Sequence, residues 1–337
     1  MTYYCWASDL SQTSGEGRLS LMFLSHVNKY SKKNIICHFN SGKGIFSKNK
    51  LKHLSYNKNT KNNFYNNYVK IFYGVFLMWF YFFKKKKIIY IGYLPLWNFL
   101  IFLLLPPRVI LGPITGNVIN PKKFLGIINI KIIIILFCYL SIFIIKIKIK
   151  NFFFAHENLY IKFKKYLSHD ILYNYQLLYF KKSKKNLSKK NNLIIYNRDH
   201  GSKNILQILQ NVLKLRIFKE IVIIGSRIDN EKVKNLGYLK HKKLMKTLRN
   251  FRYSLVSDEN FFSFFVLDAI SNNVKLIFNS DRYKFNMYNY FSGIDFIKLK
   301  KMKFNKLKYR INNVKIKNNV KRKININLNN HLKNILI

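Results

Sequence analysis

The chain has 337 residues, and 61 Lys and Arg against 13 Asp and Glu give a net charge of +48 at pH 7. Hydrophobic residues make up 49%, which excludes a disordered polycation, because such chains lack the apolar residues a core needs. Three Cys (Cys5, Cys37, Cys138) are too few for a disulfide scaffold and too scattered for a zinc site built on close pairs. From the N-terminus, 3–6 reads as a strand, 14–17 (Ser-Gly-Glu-Gly) as a turn, and 18–28 as a helix with Leu19, Met22, Phe23 and Val27 on one face. A strand is predicted at 35–39 and an Asn/Lys-rich loop at 47–67, leading into a helix at 68–83. Next come a buried strand at 88–91, a helix at 96–105 stopped by Pro106-Pro107, and a short strand at 109–112. A turn-rich stretch at 113–121, a helix at 130–145, a strand at 151–155 and a helical return at 158–181 complete this half.

Residues 181–192 (KKSKKNLSKKNN) hold few apolar side chains and read as a linker, with a surface loop inside one domain as the plainer alternative. Beyond it strands and helices alternate: strand 193–196, helix 202–215, strand 221–225, short strand 236–239, helix 242–251, strand 253–257, helix 261–272, strand 274–278. That alternation means βαβ units on a parallel sheet, with any ligand crevice at the strand C-terminal edge. The expected architecture is therefore α/β, with a domain over 1–180, the linker 181–192, a second domain over 193–298 and a basic tail over 299–337. The tail reads as a pair of helices or as partly disordered.

Lys, Asn, Ile, Phe and Tyr dominate together. These are residues of A/T-rich codons, so much of the charge reflects genome composition. A basic surface still attracts nucleic acid, acidic lipid headgroups and phosphorylated substrates alike, and the charge alone selects none of them. No basic n-region precedes an apolar core at the N-terminus, so no secretory signal is expected. The apolar runs 71–83 and 132–145 are shorter than the roughly 20 residues a span requires, and 88–105 is interrupted by Pro95 and Asn98. They are expected as buried or interfacial elements, with a true span as the alternative. Their Lys flanks suit a protein lying on an anionic cytoplasmic leaflet.

Two constellations carry chemistry. Arg198 follows the strand at 193–196, and Lys203 stands at the start of the next helix, where free N–H groups already favour phosphate. Gly201 between them permits close backbone approach. A strand–helix turn with surface cations is the alternative. The second constellation is Ser257-Asp258-Glu259-Asn260 at the next strand end, with Asp268 on the following helix. These carboxylates suit sugar or ribose hydroxyls, and a plain N-cap with a first-turn acid is the alternative.

In order and spacing the segment 193–280 resembles the nucleotide-sugar domain of GT-B glycosyltransferases, most closely glycosyltransferase family 4. Arg198 and Lys203 match the family's Arg–Lys pair, five residues apart. Glu259 and Asp268 match its two acids, although the second acid is a Glu in the family and stands one residue nearer. Gly15 and Gly17 resemble its N-terminal glycine loop. The resemblance implies two Rossmann-like, doubly wound domains facing a central cleft, and sugar transfer from a nucleotide-diphosphate donor to a hydroxyl of a glycan or lipid-linked acceptor. It implies that Arg198 and Lys203 stabilise the departing diphosphate without a metal or other cofactor, that Glu259 holds donor hydroxyls, and that Asp268 holds the ribose. Gly15 and Gly17 would then lie near the acceptor and the donor phosphate. His156 is the candidate general base, with His26 and His38 as alternatives. The setting expected is cytoplasmic and peripheral, at the inner face of the membrane.

Other chemistries lack their residues. No G-x-S-x-G, phosphate-loop or G-x-G-x-x-G pattern occurs, so neither a hydrolase elbow nor a redox dinucleotide is expected. Nucleic acid is the competing partner, through basic and aromatic side chains, but the Lys runs are scattered over the whole chain and it is not the expected one. An integral membrane protein is the third reading.

Overall fold

Strands buried on both faces read as short apolar runs rather than alternating ones, and Tyr3–Ala7 (β1) is such a strand. The computed structural model describes residues 2–12, 14–56, 69–92, 94–115, 128–149, 152–155, 160–161, 163–167, 175–180, 190–197, 205–214, 216–256, 263–278, 290–292, 296–298 and 315–336. Two compact units emerge: Met1–Tyr175 with Ile324–Ile337, and Gln176–Lys323.

In the first unit, β1 is followed by Gly15–Ser31 (α1), Ile35–Phe39 (β2), Gly42–Ser47 (β3), Lys50–Tyr56 (β4), Lys70–Phe83 (α2), Lys87–Ile91 (β5), Phe99–Leu104 (α3), Ile110–Leu111 (β6) and Ile128–Lys148 (α4). The sheet order is β4-β3-β2-β1-β5-β6. β1 pairs in parallel with both β2 and β5, so Cys5 lies opposite Cys37 on one side and Ile89 on the other. The sheet is thus wound outward from β1 in both directions.

The first half of the expected loop 47–67 is instead a strand, β4, which pairs antiparallel with β3. Lys48 and Asn49 join the two with φ of 46° and 61°, the paired positive φ of a tight hairpin turn. α2 turns Ile71, Val75 and Met78 inward, one face of a 3.6-residue period. Gly74 completes that face because a Cβ there would stand 2.3 Å from the Trp6 indole nitrogen. α2, α3 and α4 share one apolar cluster with Trp6, Ile88 and Tyr90. The expected strand 151–155 is reduced to a bridge between Ile114 and Phe154. Of the helix expected at 158–181, the described residues Tyr160, Ile161 and Phe163 are helical, and only single turns follow, at Lys164–Tyr166 and Tyr175–Tyr179.

The second unit runs Lys190–Asn197 (β7), Ile205–Lys214 (α5), Ile221–Gly225 (β8), Lys234–Asn235 (β9), His241–Leu248 (α6), Phe251–Leu255 (β10), Phe264–Ser271 (α7), Lys275–Phe278 (β11), Phe291–Ser292 (β12), Phe296–Lys298 (β13) and Lys315–Ile316 (β14). Its main sheet, β13-β11-β10-β7-β8-β9, pairs in parallel throughout. β12 and β14 form a separate antiparallel pair. Both units are therefore α/β with a parallel core. Residues 190–192, expected in the linker, open β7, with Lys190 in register with Phe251. The strand expected at 236–239 is displaced to Lys234–Asn235, and Gly237 turns the chain with φ 64°. The end of the expected tail is one helix, Asn318–Leu336 (α8), whose residues from Ile324 onward belong to the first unit. No described helix is long and apolar enough to cross a membrane.

Candidate functional site

In the second unit β7 lies between β8 and β10, with Ile195 opposite both Ile223 and Leu255. The chain leaves β7 toward β8 on one side, while β10 continues into β11 on the other. Where neighbouring parallel strands send their connections in opposite directions, the connections part and open a crevice at the strand C-terminal edge. Asn197 and Val256 mark that edge. Arg198, Gly201 and Lys203 follow β7 directly in the chain, and Asp258 and Glu259 follow β10. These five residues, with His156 and Glu157, lie outside the described residues. What the topology supplies is the pair of adjacent strand ends from which both constellations depart.

Asp268 is described, on α7. Every residue of that helix is buried, and Ser263 caps its start by accepting from the Val266 amide at 3.3 Å. The Asp268 carboxylate is 3% exposed and lies 3.2 Å from His241 Nε2 at the start of α6. The same nitrogen lies 2.8 Å from the Tyr179 hydroxyl, so the imidazole is held between a phenol and a carboxylate. A buried carboxylate needs such a partner, because desolvating its charge alone costs several kcal/mol, roughly. A ribose hydroxyl reaching Asp268 has to share it with His241, whose side chain is 36% exposed. Neither His241 nor Tyr179 is legible as a partner from sequence, because they stand 27 and 89 residues before Asp268.

The first unit has its own strand-order reversal, at the C-terminal ends of β1 and β5. Ser8 donates its backbone N–H to Ile91 O at 3.1 Å, and a Cβ on Gly92 would stand 2.7 Å from Ser8 Oγ. Asp9 then organises the connection to α1. One carboxylate oxygen accepts from the Ser11 amide at 2.7 Å, and the other from the Ser11 hydroxyl at 3.0 Å and from the Ser14 hydroxyl. Ser14 Oγ accepts from the Gly17 amide at 2.8 Å and so caps α1. An Asp two residues before a Ser is the sequence signal for this turn. Gly15 is the exposed first residue of α1, whereas Gly17 is buried beneath the turn. A Cβ on Gly17 would lie 2.2 Å from the Ser11 carbonyl oxygen, so this glycine is required by packing whatever else it does.

The other histidines considered as bases are engaged. His26 Nδ1 lies 2.6 Å from the Tyr175 hydroxyl, and burial, with Lys29 nearby, lowers its pKa to about 4. It stands eleven residues along α1 from Gly15, about 16 Å at 1.5 Å per residue, well away from the β1–α1 turn. His38 Nε2 lies 3.0 Å from the Tyr81 hydroxyl, and burial followed by the charge of Lys43 lowers its pKa too. Both are neutral at pH 7. Among the described residues no group of three His, Cys, Asp or Glu is placed to hold a metal ion. A concavity lined by Asn192, Glu220, Lys234 and Asn250 lies at the N-terminal edge of the second sheet, opposite the edge from which the constellations depart.

No family model matches this chain, and no curated protein matches it. Among solved structures, E. coli heptosyltransferase WaaC with ADP-2-deoxy-2-fluoro heptose matches over 84% of this chain and 91% of its own, at 8% sequence identity and a TM-score of 0.30. A match of that size assigns neither a donor nor a family.

Proposed function

We propose that this chain is a glycosyltransferase of the GT-B type, hexosyltransferase-like and most similar to family 4, which moves a sugar from a nucleotide-diphosphate donor to an acceptor hydroxyl. One observation carries the reading. The segments bearing Arg198/Lys203 and Glu259 leave the ends of β7 and β10, the adjacent parallel strands at which the sheet order reverses. In the reaction the bond between the sugar's anomeric carbon and the diphosphate oxygen breaks, and the acceptor oxygen forms the new bond to that carbon. The departing diphosphate gains negative charge, and Arg198 and Lys203 neutralise it, so no metal or other cofactor is required. Glu259 accepts hydrogen bonds from donor hydroxyls. Asp268, steadied by His241, accepts from the ribose. Gly15 and Gly17 border the acceptor and the donor phosphate. The acceptor hydroxyl's proton passes to a base, for which His156 is the candidate. The acceptor is a glycan or lipid-linked molecule of cell-envelope polysaccharide or glycolipid synthesis, and the reaction runs at the cytoplasmic face of a membrane.

Thermal unfolding with a panel of nucleoside diphosphates and their sugar conjugates, in EDTA, tests this directly. One nucleotide is expected to raise the midpoint by several degrees, as ligand in large excess over its Kd does. Arg198→Ala and Lys203→Ala are expected to abolish that rise. No stabilisation by any nucleotide, together with steeply salt-dependent binding to oligonucleotides, returns the nucleic-acid reading instead. Full transfer activity in His156→Ala removes that residue as the base.

A further inference from the structure

The outer faces of α2, α3 and α4 are apolar where a helix packed on a sheet is ordinarily polar. Phe76, Phe83, Phe143 and Ile147 are each 63–73% exposed, and Leu103 and Leu136 are exposed as well. Isolated exposed hydrophobics need no explanation, but a contiguous set on neighbouring helices does. These helices are neighbours. Trp79 Nε1 on α2 donates to Leu104 O at the end of α3 at 2.7 Å. The rings of Phe99 on α3 and Phe137 on α4 lie 4.8 Å apart. Lys148 Nζ, at the end of α4, donates to Leu103 O.

The same contacts bring the three helix C-termini together, and that end is basic. Lys84, Lys85 and Lys86 follow α2 and are exposed, with Lys84 Nζ 4.1 Å above the Phe80 ring. Lys146 and Lys148 end α4, and the exposed Arg108 donates its amide to Lys148 O at 3.4 Å. Lys146 Nζ donates to Tyr166 O at 2.8 Å, which sets the exposed Lys164 and Lys165 beside them. No Asp or Glu occurs anywhere from residue 17 to residue 156, so no carboxylate of this stretch offsets the rim.

We infer that the outer face of α2–α4 docks on an anionic phospholipid bilayer, with Phe76, Phe83, Phe143 and Ile147 entering the headgroup–acyl boundary and the Lys/Arg rim on the lipid phosphates. An apolar helical face edged by cations suits that interface, where buried apolar area and attraction to anionic lipid add. A second copy of the chain would bring an equally basic rim against this one and is disfavoured by charge. The inference deepens the membrane setting of the proposed reaction by naming the surface and the lipid class. It is read without nucleotide, so its failure leaves sugar transfer standing, and the converse holds.

The test is co-sedimentation of the full chain with phosphatidylcholine vesicles that contain or lack phosphatidylglycerol. Binding is expected only with phosphatidylglycerol. Phe76→Gln/Phe143→Gln keeps the charge and removes only exposed rings, and is expected to weaken binding about tenfold or more at an unchanged melting temperature. Lys84→Gln/Lys85→Gln/Lys86→Gln is expected to weaken it about tenfold or more, while Tyr238→Gln in the second unit is expected to leave it unchanged. Three results overturn the inference: no binding to phosphatidylglycerol vesicles; equal binding by the Phe76/Phe143 variant, which marks unspecific adsorption of a polycation; or a wild-type dimer by light scattering that this variant dissociates.

Discussion

Gly17 and His26 show how single residues of the first unit answer to their surroundings. With the Ser11 backbone 2.2 Å from where a Cβ would sit, Gly17→Ala has to displace the β1–α1 turn or the start of α1. A loss of about 2 kcal/mol or more is expected in urea unfolding, in the range of overpacked core sites. His26 carries a pH dependence. Its pKa falls from the ordinary 6.5 to about 4 in the folded chain, so the unfolded chain binds the proton more tightly. The stability it confers is complete above pH 6.5 and is lost as pH falls through about 4, with His38 acting in the same direction. The loss linked to His26 is on the order of 3 kcal/mol. Denaturant titrations between pH 7.5 and 4 are expected to show it, and His26→Gln to flatten the profile.

At the scale of elements, residue period tells which side of a helix is buried but not what covers it. Leu19, Phe23 and Val27 are inward on α1, whereas Met22, expected on the same face, is only half-buried, and the helix start is set by Ser14, whose hydroxyl joins the Gly17 amide to Asp9. Ser14→Ala is expected to cost about 1 kcal/mol by chemical denaturation, and Asp9→Ala to cost more, because it also releases the Ser11 amide and hydroxyl, with the double variant losing less than the sum of the two. The hairpin of β3 and β4 was not legible. KLKHLSY lacks a strong apolar alternation, and its strand state is stabilised by register with β3 and by the turn at Lys48-Asn49. α7 is the converse case: all eight residues are buried, so no amphipathic stripe marks its faces, and Asp268 is accommodated there through His241.

At the scale of the whole molecule, the chain's last helix returns to the first unit. Ile324, Leu328 and Leu332 are buried at a four-residue spacing, and Tyr30 of α1 donates to Asn329. Leu332→Ala is expected to destabilise by about 3 kcal/mol. Hydrogen exchange locates the effect: amides of β1 and α1 are expected to lose protection, whereas those of β7 and β8 keep theirs. Equal loss in both sheets contradicts the assignment of the helix from Ile324 onward to the first unit.

Strand and helix positions along most of the chain followed from local rules, because burial on two faces requires an apolar run and burial on one face of a helix requires a 3.6-residue period. The ranges 35–39 and 221–225 matched to the residue for that reason. The order of Arg198, Lys203, Glu259 and Asp268 along the chain, and its resemblance to a family pattern, are read from sequence; of the four, the folded structure describes Asp268. Strand order was not legible there, because pairing joins segments far apart in the chain through backbone groups that every residue carries. Only the folded structure set β10 beside β7, the two strands after which the constellations follow in the chain, and only it brought Tyr179, His241 and Asp268 together. The apolar outer face of α2–α4 belongs to the same class: hydrophobicity was visible residue by residue, but exposure depends on which side the sheet covers.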